Sequence, residues 1–172
     1  MTTSHNTLQQ QELERAVAAA LAEDLGFLPL AKGDITASLI PPEQQASATI
    51  ITREDCVVCG TAFADEVFRQ LGGEVQLNWQ VKDGDKVSAN SVLCTMSGPA
   101  RILLTGERTA LNFLQLLSAV ATKTVCQNRS GLSWSRPTTA GSEPSGSSVA
   151  EMKATTNTVL RPNSGRASSW AR

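Results

Sequence analysis

Three side chains in one run of the chain have the types and the spacing to do chemistry. In "GERTALNFLQLLSAVATKT", residues 106–124, Arg108, Asn112 and Gln115 recur at i, i+4 and i+7, which on a 3.6-residue helix is one face. A guanidinium presents a planar fork of donors that matches a carboxylate or a phosphate. Glu107 reads as a salt-bridge partner rather than a catalyst. By pattern alone, a polar stripe on a helix is most often a solvated surface.

Cys56 and Cys59 frame "CVVC", the spacing of a redox pair or of half a zinc site. Zinc asks for four ligands, yet Cys94 and Cys126 supply no second pair, and His5 lies far off in sequence. A thioredoxin-type pair opens a helix, whereas this one falls in a strand-and-turn context. The thiols therefore read as structural, and no metal ligand and no catalytic group is assigned. A glycine-rich phosphate loop of the GxGxxG or GxxxxGK type does not occur. "VKDGDKVSANSVLCTMSG" has the look of a lipoyl or biotinyl carrier hairpin, but Lys82 and Lys86 lack the flanking residues of a modified lysine. It reads as shared β-architecture.

The elements that must position these residues follow from periodicity. Residues 8–25 predict an amphipathic helix with Leu13, Val17, Ala20 and Leu21 in one stripe and Gly26 at its C′ position. "GFLPLAKGDITASLIPP" is irregular, with Asp34 and Thr36 as candidate caps. Strands are expected at 46–55, 74–81 and 91–96, and "VVCG" is a short apolar run that pairs back. A helix over 61–71 places Phe63, Val67 and Leu71 on one face and stops at Gly72-Gly73. Asp83-Gly84 is a hairpin signal. From Ile102 to about Val125 the period is helical again, with Leu103, Ala110, Leu114, Leu117 and Ala121 as the deepest stripe. The expected class is α+β.

With 172 residues there is room for one domain with a core. A net charge of −1 gives no pull toward nucleic acid or membrane. "MTTSHNTLQQQ" has neither the basic nor the apolar region of a signal peptide. No apolar run approaches the roughly 18 residues that cross a bilayer. Four cysteines without export signals suggest reduced thiols in the cytoplasm. Residues 127–172 differ in kind: six Lys/Arg stand against two Asp/Glu, with ten Ser, five Thr, no Ile and no Phe. Such a segment buries too little apolar surface to offset roughly 1–2 kcal/mol per residue of backbone ordering, so it is expected to be disordered.

Taken in register from Glu23 to Thr124, the segments "GDIT", "ATIITRED", "DGDKV", "GPAR" and "ERTALNFLQ" resemble the N-terminal part of nicotinate-nucleotide pyrophosphorylase (carboxylating), also called quinolinate phosphoribosyltransferase. The resemblance implies an N-terminal α/β sandwich domain of that type, followed in the family by an α/β barrel. It divides the chain into an arm and helix start at 1–22, an α+β domain at 23–101, an exit helix at 102–126 and the aberrant tail at 127–172. The implied activity is that of a glycosyltransferase: quinolinate and phosphoribosyl pyrophosphate, with Mg2+, give nicotinate mononucleotide, pyrophosphate and carbon dioxide in de novo NAD synthesis. The resemblance also implies a homodimer or higher oligomer, with Arg108 contributed to the quinolinate carboxylates of the neighbouring subunit and Asn112 and Gln115 lining the interface or supporting it.

The departures matter as much. The family's barrel should bring a Thr-Arg-Lys-Thr run, a glycine-rich segment leading to His-Arg, and the lysine and carboxylates for phosphoribosyl pyrophosphate and Mg2+; none occurs in 127–172. That tail has the composition of a frameshifted reading, and the chain by itself is expected to be inactive. Gly106 stands where alanine is more usual and Ala119 where glycine is. Without the barrel, Leu103, Leu114, Leu117 and Val120 are expected to form an exposed apolar patch. The alternatives are a purely structural dimerisation module and, more remotely, a carrier domain.

Overall fold

The computed structural model describes residues 3–28, 33–129 and 152–157. Helix α1 runs Thr3–Asp24 and α2 is one turn, Ile35–Ser38. Strand β1 (Gln45–Thr52) leads to the short β2 (Cys56–Val57) and to α3 (Thr61–Gln70). Then come β3 (Gln76–Trp79), β4 (Lys86–Val87) and β5 (Val92–Pro99). The long α4 spans Ala100–Arg129, and β6 is Met152–Asn157. The main sheet is antiparallel in the order β3-β5-β1-β6, and β2 and β4 form a separate two-stranded ribbon. This is the α+β architecture expected, and no barrel is seen among the described residues.

Each element follows from its local chemistry. The stripe on α1 is real: Val17 and Leu21 are buried. The helix ends in a Schellman motif, with Phe27 N–H on Ala22 C=O at 2.7 Å and Gly26 N–H on Glu23 C=O at 3.0 Å. Gly26 takes the left-handed φ of 60° that this ending needs. On β1 the inward residues Ala46, Ala48, Ile50 and Thr52 alternate with outward ones, the period-two pattern of a sheet with one covered face. The strand stops at Thr52, whose hydroxyl donates to Glu54 C=O at 2.7 Å and accepts from Glu54 N–H. A side chain thereby takes over the backbone pairing. The core joins Val17, Ile50, Val67, Phe68, Leu93, Met96, Leu103 and Leu114 from helices and sheet.

Polar residues on the helices tie the layers together. Ser118 is fully buried, accepting from Cys59 N–H at 3.0 Å and donating to Cys59 C=O at 3.1 Å. One turn on, Thr122 Oγ1 accepts from Val57 N–H at 2.9 Å. The run "SAVATKT" therefore clips the β2 segment to α4. Asp83 does not close a simple hairpin between β3 and β5. Its carboxylate accepts from Gly60 N–H at 3.1 Å and Thr61 N–H at 3.0 Å, capping α3 across the fold. The "VVCG" run pairs with β4 rather than with β1. Ser118→Ala is expected to lower the unfolding free energy by about 1–3 kcal/mol, because two buried backbone groups lose their partner. Urea unfolding reads this directly, and a loss below ~0.5 kcal/mol would show the hydroxyl to be dispensable.

Two expectations are corrected. The segment 127–172 is not disordered throughout: residues 127–129 continue α4, and Met152–Asn157 pair with β1. The physical reason is the open edge of β1, whose backbone groups give a partner strand hydrogen bonds that do not depend on apolar content. The rest of that segment lies outside the described residues. Nor is the exit-helix stripe an open patch, since Leu103 and Leu114 are buried in the domain's own core. Leu117 is half-buried against Gly60. Val120, together with Leu116, is exposed.

Candidate functional site

Asp24 and Asp34 are brought to one face of α4 by threonines 85 and 71 residues further along the chain. Thr105 donates its hydroxyl to Asp34 Oδ2 at 2.7 Å, and Thr109 donates to Asp24 Oδ2 in a short hydrogen bond. Asp34 is at the same time the N-cap of α2, its Oδ1 accepting from Ala37 N–H at 2.9 Å. The cap expected from "GDIT" is therefore also a bracket that fastens that segment to the "ERTALNF" helix.

Arg108 lies between the two threonines in sequence and lines, with Thr105, a cleft of about 240 Å³. Asp24, Leu25, Asp34 and Ile35 are among its other walls. Arg108 itself is exposed. Ile35 on this cleft is 77% exposed. Burial raises the pKa of Asp34, but the Ala37 N–H, the Thr105 hydroxyl, the Thr36 N–H and the charge of Arg108 outweigh it, so the carboxyl sits below the usual 3.8. A carboxylate held below its unfolded value stabilises the fold above about pH 3.8, and that contribution is lost as pH falls through the native value. Asp34→Asn is accordingly expected to flatten the fall in stability below pH 4. Denaturant unfolding from pH 5 to 2 checks this, and an unchanged slope would remove Asp34 from the acid response.

The expected stripe is divided. Asn112 is exposed and lines a neighbouring cleft of about 260 Å³ between α1 and α4, with Glu23, Phe113 and Leu116. Phe113 stacks on Phe63 at a centroid distance of 4.9 Å, which holds that stretch of α4 against α3. Gln115 turns to its own subunit: its Nε2 donates to Met152 C=O on β6 at 2.7 Å. Sequence reasoning missed Asp24, Thr105 and Thr109. A signal was present, in two threonines one turn apart in a helix that otherwise prefers straight-chain residues.

Of the cysteines, Cys56 and Cys94 are buried, Cys59 is half-buried and Cys126 is exposed. Cys56 is buried, and its sulfur lies 3.5 Å from the Thr52 hydroxyl. Burial, helped by the Asp83 charge, pushes the Cys59 thiol up. Cys94 is pushed up to about 12, by burial first and by Asp65, against a backbone hydrogen bond with Asn78. Thiols so shifted are poor nucleophiles at neutral pH. Among the described residues no three His, Cys, Asp or Glu gather closely enough to hold a metal ion. No described helix is long and apolar enough to cross a membrane. Lys86 lies in the paired strand β4, and the neighbouring turn docks on α3 through Asp83. A carrier's modified lysine would need an exposed hairpin tip.

Residues 34–118 match the family described as quinolinate phosphoribosyl transferase, N-terminal domain. The chain is 35% identical over 114 residues to the nicotinate-nucleotide pyrophosphorylase [carboxylating], chloroplastic, of Arabidopsis thaliana, covering 66% of this chain and 32% of that protein. A probable nicotinate-nucleotide pyrophosphorylase [carboxylating] of Bacillus subtilis is 35% identical over 113 residues, covering 66% and 37%. The structure of the nicotinate-nucleotide pyrophosphorylase from Francisella tularensis superposes with a TM-score of 0.63 at 42% identity, covering 68% of this chain and 40% of that one. The chain thus spans only about a third of the length of the curated relatives it matches.

Proposed function

The chain belongs to the quinolinate phosphoribosyltransferase family through its N-terminal domain, and on that premise we propose that it is the substrate-clamping half of a phosphoribosyl transfer to quinolinate in NAD synthesis. The reaction would give nicotinate mononucleotide, carbon dioxide and pyrophosphate. In this reading Arg108 is presented to the active site of a neighbouring subunit, where its fork meets a quinolinate carboxylate. The observation that carries the proposal is the exposed Arg108 at the mouth of a cleft whose two carboxylates are already bonded to Thr105 and Thr109. The Arg108 charge already acts on Asp34, and its exposed guanidinium remains accessible to a further anion from a neighbouring subunit. A bidentate Arg–carboxylate pair gives direction as well as energy.

The described residues supply binding and orientation rather than the chemical step. Among the described residues no group of three or more potential ligands gathers as a metal site. The 172-residue chain by itself is expected to release no nicotinate mononucleotide from quinolinate, phosphoribosyl pyrophosphate and Mg2+. Chromatographic detection of product above the no-enzyme blank would overturn this.

A second reading, a structural dimerisation module, is favoured by one observation: Phe27, Ile35, Leu39, Leu116 and Val120 are all exposed apolar side chains. The two readings part on quinolinate. With a barrel supplied by fusion to the Francisella tularensis relative, calorimetric binding of quinolinate that Arg108→Ala abolishes supports the clamp, and self-association with binding unaffected by Arg108→Ala supports the module. The compartment is proposed to be cytoplasmic, although the Arabidopsis relative is named as chloroplastic.

A further inference from the structure

The main sheet is not completed by the family-like region. Residues 34–118 contain β1, β3 and β5, but β6, at Met152–Asn157, comes from well beyond them. It pairs with β1 residue for residue, from Ser47 opposite Asn157 to Thr52 opposite Met152. Among the described residues only β1 pairs with it, which places β6 at the edge of the described sheet. Two further features meet its first residue. Met152 is 3% exposed and joins the core cluster. The Gln115 amide, reaching from α4, donates to the Met152 carbonyl at 2.7 Å.

From these observations we infer that the edge of β1 over Ser47–Thr52, with the Gln115 amide and the apolar socket under Met152, is a strand-acceptor site. It takes an extended segment antiparallel to β1, with an apolar residue opposite Thr52, and the occupant in this chain is Met152–Asn157. Backbone ladders supply the affinity of such a site and the side-chain pocket supplies its register. A one-residue slip would lift Met152 out of the socket and deny Gln115 its acceptor. Because the ladder is made by main-chain groups, the site accepts a strand that is not covalently joined to α4. The isolated segment should therefore bind in trans once the resident strand is removed.

The test keeps the full chain and disables the resident strand with Met152→Asp together with Ala154→Pro. Proline removes a ladder donor, and aspartate cannot enter the socket. A labelled synthetic peptide spanning residues 150–159 is then titrated against this variant and the unmodified chain by fluorescence anisotropy, with circular dichroism followed in parallel. The peptide is expected to bind the disabled chain at least tenfold more tightly than the unmodified chain. If the disabled chain has lost its helical signal, adding the peptide should restore it. Adding Gln115→Ala to the disabled chain should weaken binding by about two- to tenfold, the loss of one neutral hydrogen bond. A scrambled peptide should do nothing. Equal binding to both chains, no binding together with no restoration of structure, or insensitivity to Gln115→Ala would each overturn the assignment.

Discussion

Replacing Arg108 with alanine is expected to reduce quinolinate use by about thirtyfold to several thousandfold, the equivalent of roughly 2–5 kcal/mol for a desolvated charge-assisted contact. The measurement needs a barrel, so residues 1–126 of this chain are fused to the remainder of the Francisella tularensis relative, whose structure superposes at 42% identity. The loss should appear in kcat/KM for quinolinate while the oligomer persists in sizing experiments. Arg108→Lys should rescue little, because an ammonium cannot form the two parallel hydrogen bonds of a guanidinium fork. The cross-subunit placement has its own test. Fusion chains with Arg108→Ala are mixed with fusion chains disabled in the barrel; a heterodimer then holds one site with an intact barrel and an intact arginine. Recovered activity supports donation in trans, and verified heterodimers without recovery would assign Arg108 to its own subunit.

The second large effect is on stability. Phe68 is 1% exposed at the heart of the core, so Phe68→Ala is expected to cost about 3–5 kcal/mol. That is a large part of the roughly 5–15 kcal/mol that holds a domain together. The site of Gly106 sharpens the prediction. A Cβ built at Gly106 would lie 2.6 Å from Phe68 Cε1 and 2.9 Å from Leu71 Cδ1. Gly106→Ala should therefore destabilise, since overpacking of about 1–3 kcal/mol outweighs the ~1 kcal/mol gain in helix propensity. The two substitutions should not add. The alanine methyl at 106 grows into the space that Phe68 vacates, so the double variant should cost less than the sum of the singles. Guanidinium unfolding of all four proteins completes the cycle, and strict additivity would mean that the two residues do not share this contact.

Glycine at 106 shows where sequence reasoning stops. Propensity registers only what a glycine costs its own helix. Its benefit is the approach of α3, a fact about a ring 38 positions earlier in the chain. The threonines of α4 follow the same logic. Thr105, Thr109 and Thr122, with Ser118, look like weak helix formers, yet each is bonded to a carboxylate or to backbone from a distant element.

What the sequence by itself determined is what local periodicity and short motifs encode. The α1 stripe and its glycine ending, the alternation of β1 and the helix over residues 61–70 were all legible, as was the family resemblance carried by "GDIT" and "ERTALNF". These rest on interactions within a few residues, where backbone sterics and burial leave few choices. Only the tertiary structure decided which polar residues pair. It drew Asp24 and Asp34 to either side of Arg108, turned Gln115 away from that group to β6, and buried Leu103 and Leu114 in their own domain. It also placed Met152–Asn157 on the edge of β1. That segment has little apolar surface of its own, and its strand conformation is set by the unpaired backbone groups of a neighbour about 100 residues earlier, which no local pattern in the sequence can record.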